Sequence, residues 1–168
     1  MERRINWIER QIKRLLALET PRRVYGAMYA EDAAIATTMT TINVYYPVLS
    51  GITTGLVNNI TFQSARELLI VVPGIYKIDW SLSISVNNSD QTIEGVVMGG
   101  AAGTTALTTM ANATRAKENG VLYSISGTGI AQCAAGNLLR FGMQNETSSG
   151  TVITISHANM TVLHIGPA

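Results

Sequence analysis

The chain of 168 residues has the length of one ordinary domain with a short appendage. Charged residues make up only 14% of it, against about 25% in a typical globular protein, which indicates either that subunit contacts cover part of the surface or that a β-rich fold carries Thr and Ser in place of Lys and Glu. The single cysteine, Cys133, excludes an internal disulfide, and no run of 18 apolar residues exists that would span a membrane.

Charge is unevenly distributed along the chain. Residues 1–23 contain seven basic and three acidic residues, a net charge of +4, whereas the remainder contains five basic and eight acidic residues, a net charge of −3. We therefore divide the chain into an N-terminal segment, 1–23, with a partner of its own, and a domain, 24–168. Because the charged start lacks an apolar run, we expect no signal peptide and folding in a reducing cytoplasm.

Residues 3–19 are predicted to form an amphipathic helix that ends before Pro21. Four apolar residues follow each other at spacings of three, four and three, as in a coiled-coil seam: Ile5, Ile8, Ile12 and Leu15. Isoleucine at both seam positions favours trimers or tetramers, but two heptads are marginal for a helix alone. The helix is therefore either a trimeric stem or an amphipathic helix that docks on its own domain or on another surface.

Basic charge and Trp7 also occur in segments that bind nucleic acid or anionic membranes. Three glutamates are interleaved with the basic residues of this helix, and we therefore predict neither partner. Tryptophan and arginine are enriched at the centres of protein interfaces, which favours a protein partner for residues 1–23.

Beyond residue 25 the apolar residues recur with period two, which indicates β-strands. In the clearest strand, 75–86, alternate residues such as Tyr76 and Trp80 are assigned to the core, and Lys77 and Asp79 to the wet side. Residues 99–112 are either a loop or a pair of short strands. Further strands are predicted at 42–49, 60–63, 67–72, 93–99, 121–131, 138–145 and 151–165. About eight strands separated by Gly, Asn and Pro turns predict an all-β fold, an antiparallel jelly roll or β-sandwich.

The last predicted strand carries apolar residues on both faces. With strict alternation, one face holds Ile153, Ile155, Leu163 and Ile165, and the other holds Val152, Ala158, Met160 and Val162. Such a strand lies between two layers or at a subunit interface. The predicted subunit contacts are Tyr45, Tyr46, Met160 and Val162.

Three short motifs carry a family resemblance. Pro73-Gly74-Ile75-Tyr76 opens the long strand, 135–141 reads Ala-Gly-Asn-Leu-Leu-Arg-Phe, and the last strand ends in Val-Leu-His-Ile at 162–165. In their order and spacing they resemble the trimeric jelly-roll domains of the C1q and tumour-necrosis-factor type and their phage and spore-surface relatives. Asn137 stands where the family commonly has Asp, and either residue suits a turn.

The resemblance implies a homotrimer with a hydrophobic three-fold axis, whose loops or intersubunit grooves bind a ligand. A short stem before such a head looks like a phage head-fibre, capsid-decoration or tail-fibre protein. We therefore expect a virion-surface protein, assembled in the host cytoplasm, that a capsid or tail protein holds through the helix, with a host-surface glycan or protein as a further partner. The helix residues expected to make this attachment or the trimeric stem are Ile5, Trp7, Ile8, Ile12 and Leu15. The alternative is a cellular, secreted or surface C1q-like ligand-binding module.

Neither catalysis nor a cofactor is predicted. His157 and His164 lie seven residues apart on one strand and point to opposite faces, so they cannot share a metal; His164 meeting its own copies on a three-fold axis is the alternative. Cys133 has no basic neighbour in sequence and is expected to be a buried, inert thiol. The carboxylates are scattered, and a glycan-cleaving enzyme that uses Asp90 or Glu94 is our third hypothesis.

Overall fold

The computed structural model describes residues 23–167. The helix predicted at 3–19, with its contacts through Ile5, Trp7, Ile8, Ile12 and Leu15, lies outside these residues. The described chain forms thirteen strands and one 3-10 turn, Thr108–Met110. In chain order the strands are β1 Tyr25–Ala30, β2 Ile35–Met39, β3 Tyr46–Pro47, β4 Thr53–Asn58, β5 Ile60–Gln63, β6 Glu67–Ile70, β7 Gly74–Val86, β8 Gln91–Gly99, β9 Thr105–Ala106, β10 Asn112–Ala116, β11 Tyr123–Cys133, β12 Leu138–Asn145 and β13 Thr151–Gly166.

These strands form two antiparallel sheets. The first has the order β11-β7-β13-β1-β4, and β2 pairs with the first part of β13, before the residues that pair with β1. The second has the order β10-β8-β12-β6-β5, with β3 beside β12 and β9 beside β8. Most neighbouring strands are far apart in sequence, as in a jelly roll, whereas β5 pairs with β6 and β8 with β9 as consecutive strands. The predicted all-β antiparallel sandwich is confirmed.

Alternating side chains of both sheets fill the core between them. Tyr76 and Trp80 of β7 are buried there, as predicted, and Phe141 of β12 faces them from the second sheet. The indole Nε1 of Trp80 donates a hydrogen bond of 3.1 Å to the carbonyl of Met110. The only polar atom of this buried ring is therefore paired. Gly127 has no side chain, and a Cβ atom at this position would overlap the ring and this carbonyl.

A β-bulge in β13 reverses the alternation of the last strand. The pairing with β7 shifts between Ile155 and His157, so Ser156 is an extra residue. Met160 and Val162 are consequently buried in the core together with Ile155, while Leu163 points out. The predicted grouping of Leu163 with Ile155, and of Met160 with Val152, was wrong because it assumed strict alternation.

Some of the remaining strand predictions match the structure and others do not, for reasons that lie in the local sequence. The strands predicted at 75–86 and 138–145 match β7 and β12. The strand predicted at 42–49 is reduced to Tyr46–Pro47, because Asn43 adopts a left-handed φ of 57° and Pro47 has no amide hydrogen to donate. Strands β1, β2, β4 and β10 were not predicted, since small residues and threonine dilute their apolar pattern.

A buried polar cluster joins the two sheets at one end. The side-chain amide of Asn145, on β12, donates hydrogen bonds of 2.8 Å to Gln91 on β8 and 2.8 Å to Thr151 on β13. Its carbonyl oxygen accepts the backbone amide of Thr147 at 2.8 Å. Because every polar atom of this buried amide is paired, the cluster fixes the turn between β12 and β13 without a desolvation penalty.

The packing around Trp80 predicts a specific stability defect. A Cβ atom added in Gly127→Ala would lie 2.5 Å from the Met110 carbonyl and 2.6 Å from the Trp80 Nε1, so we expect a loss of about 1–3 kcal/mol in the free energy of unfolding. Gly166→Ala is the control, because its Cβ meets no atom within 4 Å. Urea unfolding measures both, and equal midpoints for the two variants would contradict this packing.

Candidate assembly and binding surface

The solvent-facing side of the first sheet, here called the outer face, is the most distinctive surface of the described chain. Cross-strand pairing places Ile130, Lys77, Leu163 and Tyr25 in one row across β11, β7, β13 and β1. Ile130 is 61% exposed and Leu163 50% exposed. One end of the outer face, here called the apolar end, therefore carries apolar residues on β11, β13 and β1, with Lys77 of β7 between them.

A shallow groove of about 360 Å³ crosses the apolar end between β4 and β13. Leu56, 78% exposed, and Leu163 form its walls. Ala27 forms part of the floor, where the small side chain leaves room. A large apolar side chain from another molecule would fill this groove and remove both leucines from water.

One ion pair lies within the apolar end. Lys77 Nζ and Asp79 Oδ2 are 2.9 Å apart, and the hydroxyl of Thr128 donates to Asp79 Oδ1 at 2.5 Å. The hydrogen bond from Thr128, followed by that from Lys77, lowers the pKa of Asp79 below its ordinary value. The carboxylate is thus charged and paired, and this end of the face carries no net charge.

The other end of the outer face is polar. The rows there pair Ser126, Ser81, Asn159 and Tyr29 in one line, followed by Ser124, Ser83 and His157. His157 Nε2 lies 3.3 Å from Asp32 Oδ1, and a groove of about 250 Å³ runs between Tyr29 and His157. Hydroxyl and amide groups at this density hold water or a hydroxylated ligand rather than an apolar one.

The structure places the four predicted subunit contacts away from the outer face. Met160 and Val162 are buried between the sheets. Tyr45 lies on the outer side of the second sheet, where its hydroxyl donates to Glu94 Oε2 at 2.9 Å, and burial followed by this carboxylate raises the pKa of Tyr45 to about 12. The hydroxyl of Tyr46 accepts the backbone amide of Thr41 at 2.9 Å.

Sequence reasoning missed Leu56 and Ile130, the most exposed large apolar residues of the outer face. A signal existed for Ile130, because it follows Ser124, Ser126 and Thr128 on the polar side of a predicted strand. An apolar residue on the wet side of a strand suggests a contact with another chain. Leu56 gave no such signal, because β4 itself was not predicted.

The groups singled out for chemistry are dispersed. His164 points inward, with its ring 5.1 Å from that of Tyr76, whereas His157 points outward, so the two lie on opposite faces as predicted. Asp90 is 3.3 Å from Arg115, and Glu94 accepts hydrogen bonds from Tyr45 and Gln144. Within residues 23–167, no three His, Cys, Asp or Glu side chains are grouped as metal ligands, and no helix of these residues has the length and hydropathy to cross a membrane.

Comparison with solved structures defines the fold as the jelly roll of the tumour-necrosis-factor and C1q type. The Eiger TNF of S. frugiperda is similar at a TM-score of 0.65 and 11% identity, with 88% of this chain and 96% of that chain covered. The globular domain of zebrafish complement 1qA is similar at a TM-score of 0.55 and 12% identity, with 87% and 99% covered. No family model and no curated protein sequence matches the chain.

The environment of Cys133 predicts a slow thiol. The side chain is buried, as expected, and burial raises its pKa from 9.0 to about 11. At pH 8 the thiolate fraction is then about a hundredfold lower than for a thiol of pKa 9.0. We expect almost no reaction with Ellman's reagent in the folded protein and one equivalent after unfolding in guanidinium. Rapid reaction of the folded protein would contradict the buried position.

Proposed function

We propose that the protein is a non-enzymatic, homotrimeric head module of a virion, attached to the particle by residues 1–23. The observation that carries the trimer is the apolar end of the outer face. Three large apolar side chains, Leu56, Ile130 and Leu163, are at least half exposed there in a single chain. A contact between copies would bury them.

The two edges of the sheet suit a contact that closes into a ring. Ile130 projects from β11 at one edge, and the groove between Leu56 and Leu163 lies near β4 at the other edge. Ile130 and Leu163 belong to the same cross-strand row, so a rotation about an axis along the strands brings one to the level of the other. Such a head-to-tail interface forms a closed ring when its rotation closes on itself. The family resemblance implies three subunits, and we therefore propose a trimer.

The remaining surface suits binding more than catalysis. The polar end of the outer face presents serine, asparagine and tyrosine side chains. Elsewhere, Asp79, Asp90 and Glu94 are each paired with a neighbouring side chain that is not a carboxylate. We therefore infer a structural role with capture of a host-surface glycan or protein.

Attachment to a particle is supported by the charge of residues 1–23, which is +4 against −3 for the rest. The cellular ligand-binding module remains the second candidate. It is favoured by the two similar structures, which are by their names a TNF and a complement domain.

The trimer has a direct mutational test. Wild-type protein should scatter light as three times 18.0 kDa, whereas Ile130→Lys should be monomeric, because it places a second ammonium group beside Lys77 in the contact. Leu49→Lys is the matched control, since Leu49 is 56% exposed and lies on another surface, beside Pro47. Circular dichroism shows that each variant is folded. A wild-type monomer, or a trimeric Ile130→Lys variant, would refute the proposed contact.

Attachment is tested on particles from the producing host. We expect mass spectrometry to find the protein in virus particles banded in a density gradient, and a form lacking residues 1–23 to be trimeric and to remain unbound when added to particles depleted of the protein. Full binding by the truncated form would refute the attachment role of residues 1–23. Recovery of the protein only from the host-cell surface would favour the cellular module.

A further inference from the structure

Strand β2 is an edge strand with one unpaired side. It pairs with the first part of β13 and with no other strand of residues 23–167. The backbone carbonyl of Val152 accepts the amide of Asn87, and the amide of Val152 donates to Asn87 Oδ1, so the backbone of Val152 faces β7. Consecutive residues of a strand direct their backbone groups to opposite sides. Ile153 therefore faces β2, where it pairs with Thr37.

The backbone groups of Ala36 and Thr38 consequently point away from the sheet. Both residues are exposed. Natural proteins commonly protect an edge strand with charged side chains, proline or a bulge, because its unpaired groups are a template for another strand. The sequence of β2, Ile-Ala-Thr-Thr-Met, contains neither charge nor proline, and its register with β13 is regular. This edge is therefore open to the addition of an extended segment.

A groove of about 260 Å³ lies beside this edge. Strand β2 contributes Ile35 and Thr37 to its lining, and the segment 46–50 contributes Tyr46, Pro47 and Leu49. Leu49 is 56% exposed, and no charged residue of the described chain lines the groove. In an added strand every second side chain points to the same side. An apolar side chain of that strand would enter the groove and remove Leu49 from water.

The size of this surface selects a peptide segment and not a folded protein. A stable contact between folded proteins buries about 1,200–2,000 Å², whereas a groove of about 260 Å³ is smaller than the roughly 300–1,000 Å³ of a site for a drug-sized molecule. Two copies of this chain paired through β2 would leave both grooves unfilled, because the side chains of each β2 already line its own groove. In strand addition, main-chain hydrogen bonds supply the affinity and alternate side chains the specificity.

We propose that β2 binds an extended, uncharged peptide segment of another protein by strand addition. The segment pairs with the backbone groups of Ala36 and Thr38 and inserts an apolar side chain beside Leu49. This deepens the proposed function and rests on it, since it gives the captured host-surface partner a chemistry: a polypeptide in extended conformation, and not a glycan.

The position of β2 leaves it accessible in the proposed assembly. Thr37 pairs with Ile153, whereas Tyr25, at the start of β1, pairs with Leu163, roughly 30 Å further along β13. The peptide site therefore lies away from the apolar end of the outer face and away from the point where residues 1–23 join the domain.

Peptide selection tests the strand addition. A display library of random linear peptides is selected on the full-length protein, and we expect enriched peptides with apolar residues at alternate positions. They should bind wild type and Thr38→Val alike and Thr38→Pro about tenfold more weakly, because proline removes the unpaired N–H. An edge strand tolerates proline where the nitrogen faces solvent, and circular dichroism verifies the fold. Equal binding by Thr38→Pro, or trimers that associate with each other and bind no peptide, would overturn the proposal.

Amide hydrogen exchange gives a second readout. The bound peptide should slow exchange at Ala36 and Thr38 and leave Thr37 unchanged, since the Thr37 amide already faces β13. Uniform protection of all three, or of none, would overturn strand addition.

The variants of the trimer test separate this proposal from the proposed function. Leu49→Lys should remain trimeric but bind the peptides more weakly, and Ile130→Lys should be monomeric but bind them as wild type does. A wild-type trimer that enriches no peptide contradicts only the strand addition, and a wild-type monomer that binds them contradicts only the trimer.

Discussion

The extra residue in β13 is the constraint on which the rest of the surface depends. Ser156 shifts the pairing with β7, so that Met160 and Val162 point inward. Had the strand continued in strict alternation, Leu163 and Ile165 would face the core and Met160 and Val162 the solvent. One bulge therefore both completes the hydrophobic core and creates the apolar end of the outer face.

The two ends of the outer face differ because of what the other strands supply in the same rows. Beyond the bulge, the row of Leu163 also contains Ile130 and Tyr25, so that three of its four strands supply a large apolar or aromatic residue and β7 supplies Lys77. Nearer the bulge the rows consist of serines with Asn159 and His157. An assembly built on this face would be dry at one end and hydrated at the other, which separates the region that holds subunits together from the region free to bind a ligand.

Much of the fold was predictable from local pattern, and the surface was not. The strand at 75–86 alternates without interruption, so its boundaries and its buried faces, including Tyr76 and Trp80, followed from sequence. Strand β4 places Leu56 and Val57 next to each other after Gly55, so its apolar residues do not alternate and gave no periodic signal. The position of a bulge cannot be read from hydrophobicity, because Ser156 resembles any solvent-facing residue of a strand. The sequence therefore did not indicate that Met160 and Val162 point inward. The helix at 3–19 stays a prediction.

The ion pair between Lys77 and Asp79 has a consequence for the environment in which such an assembly would persist. Its two charges are 2.9 Å apart, well inside the screening length of about 8 Å at physiological ionic strength, and they cancel within one subunit instead of bridging two. Association through this face would depend on apolar burial, which salt does not weaken. An assembly formed through this face would therefore keep its subunits together at low and at high salt concentration.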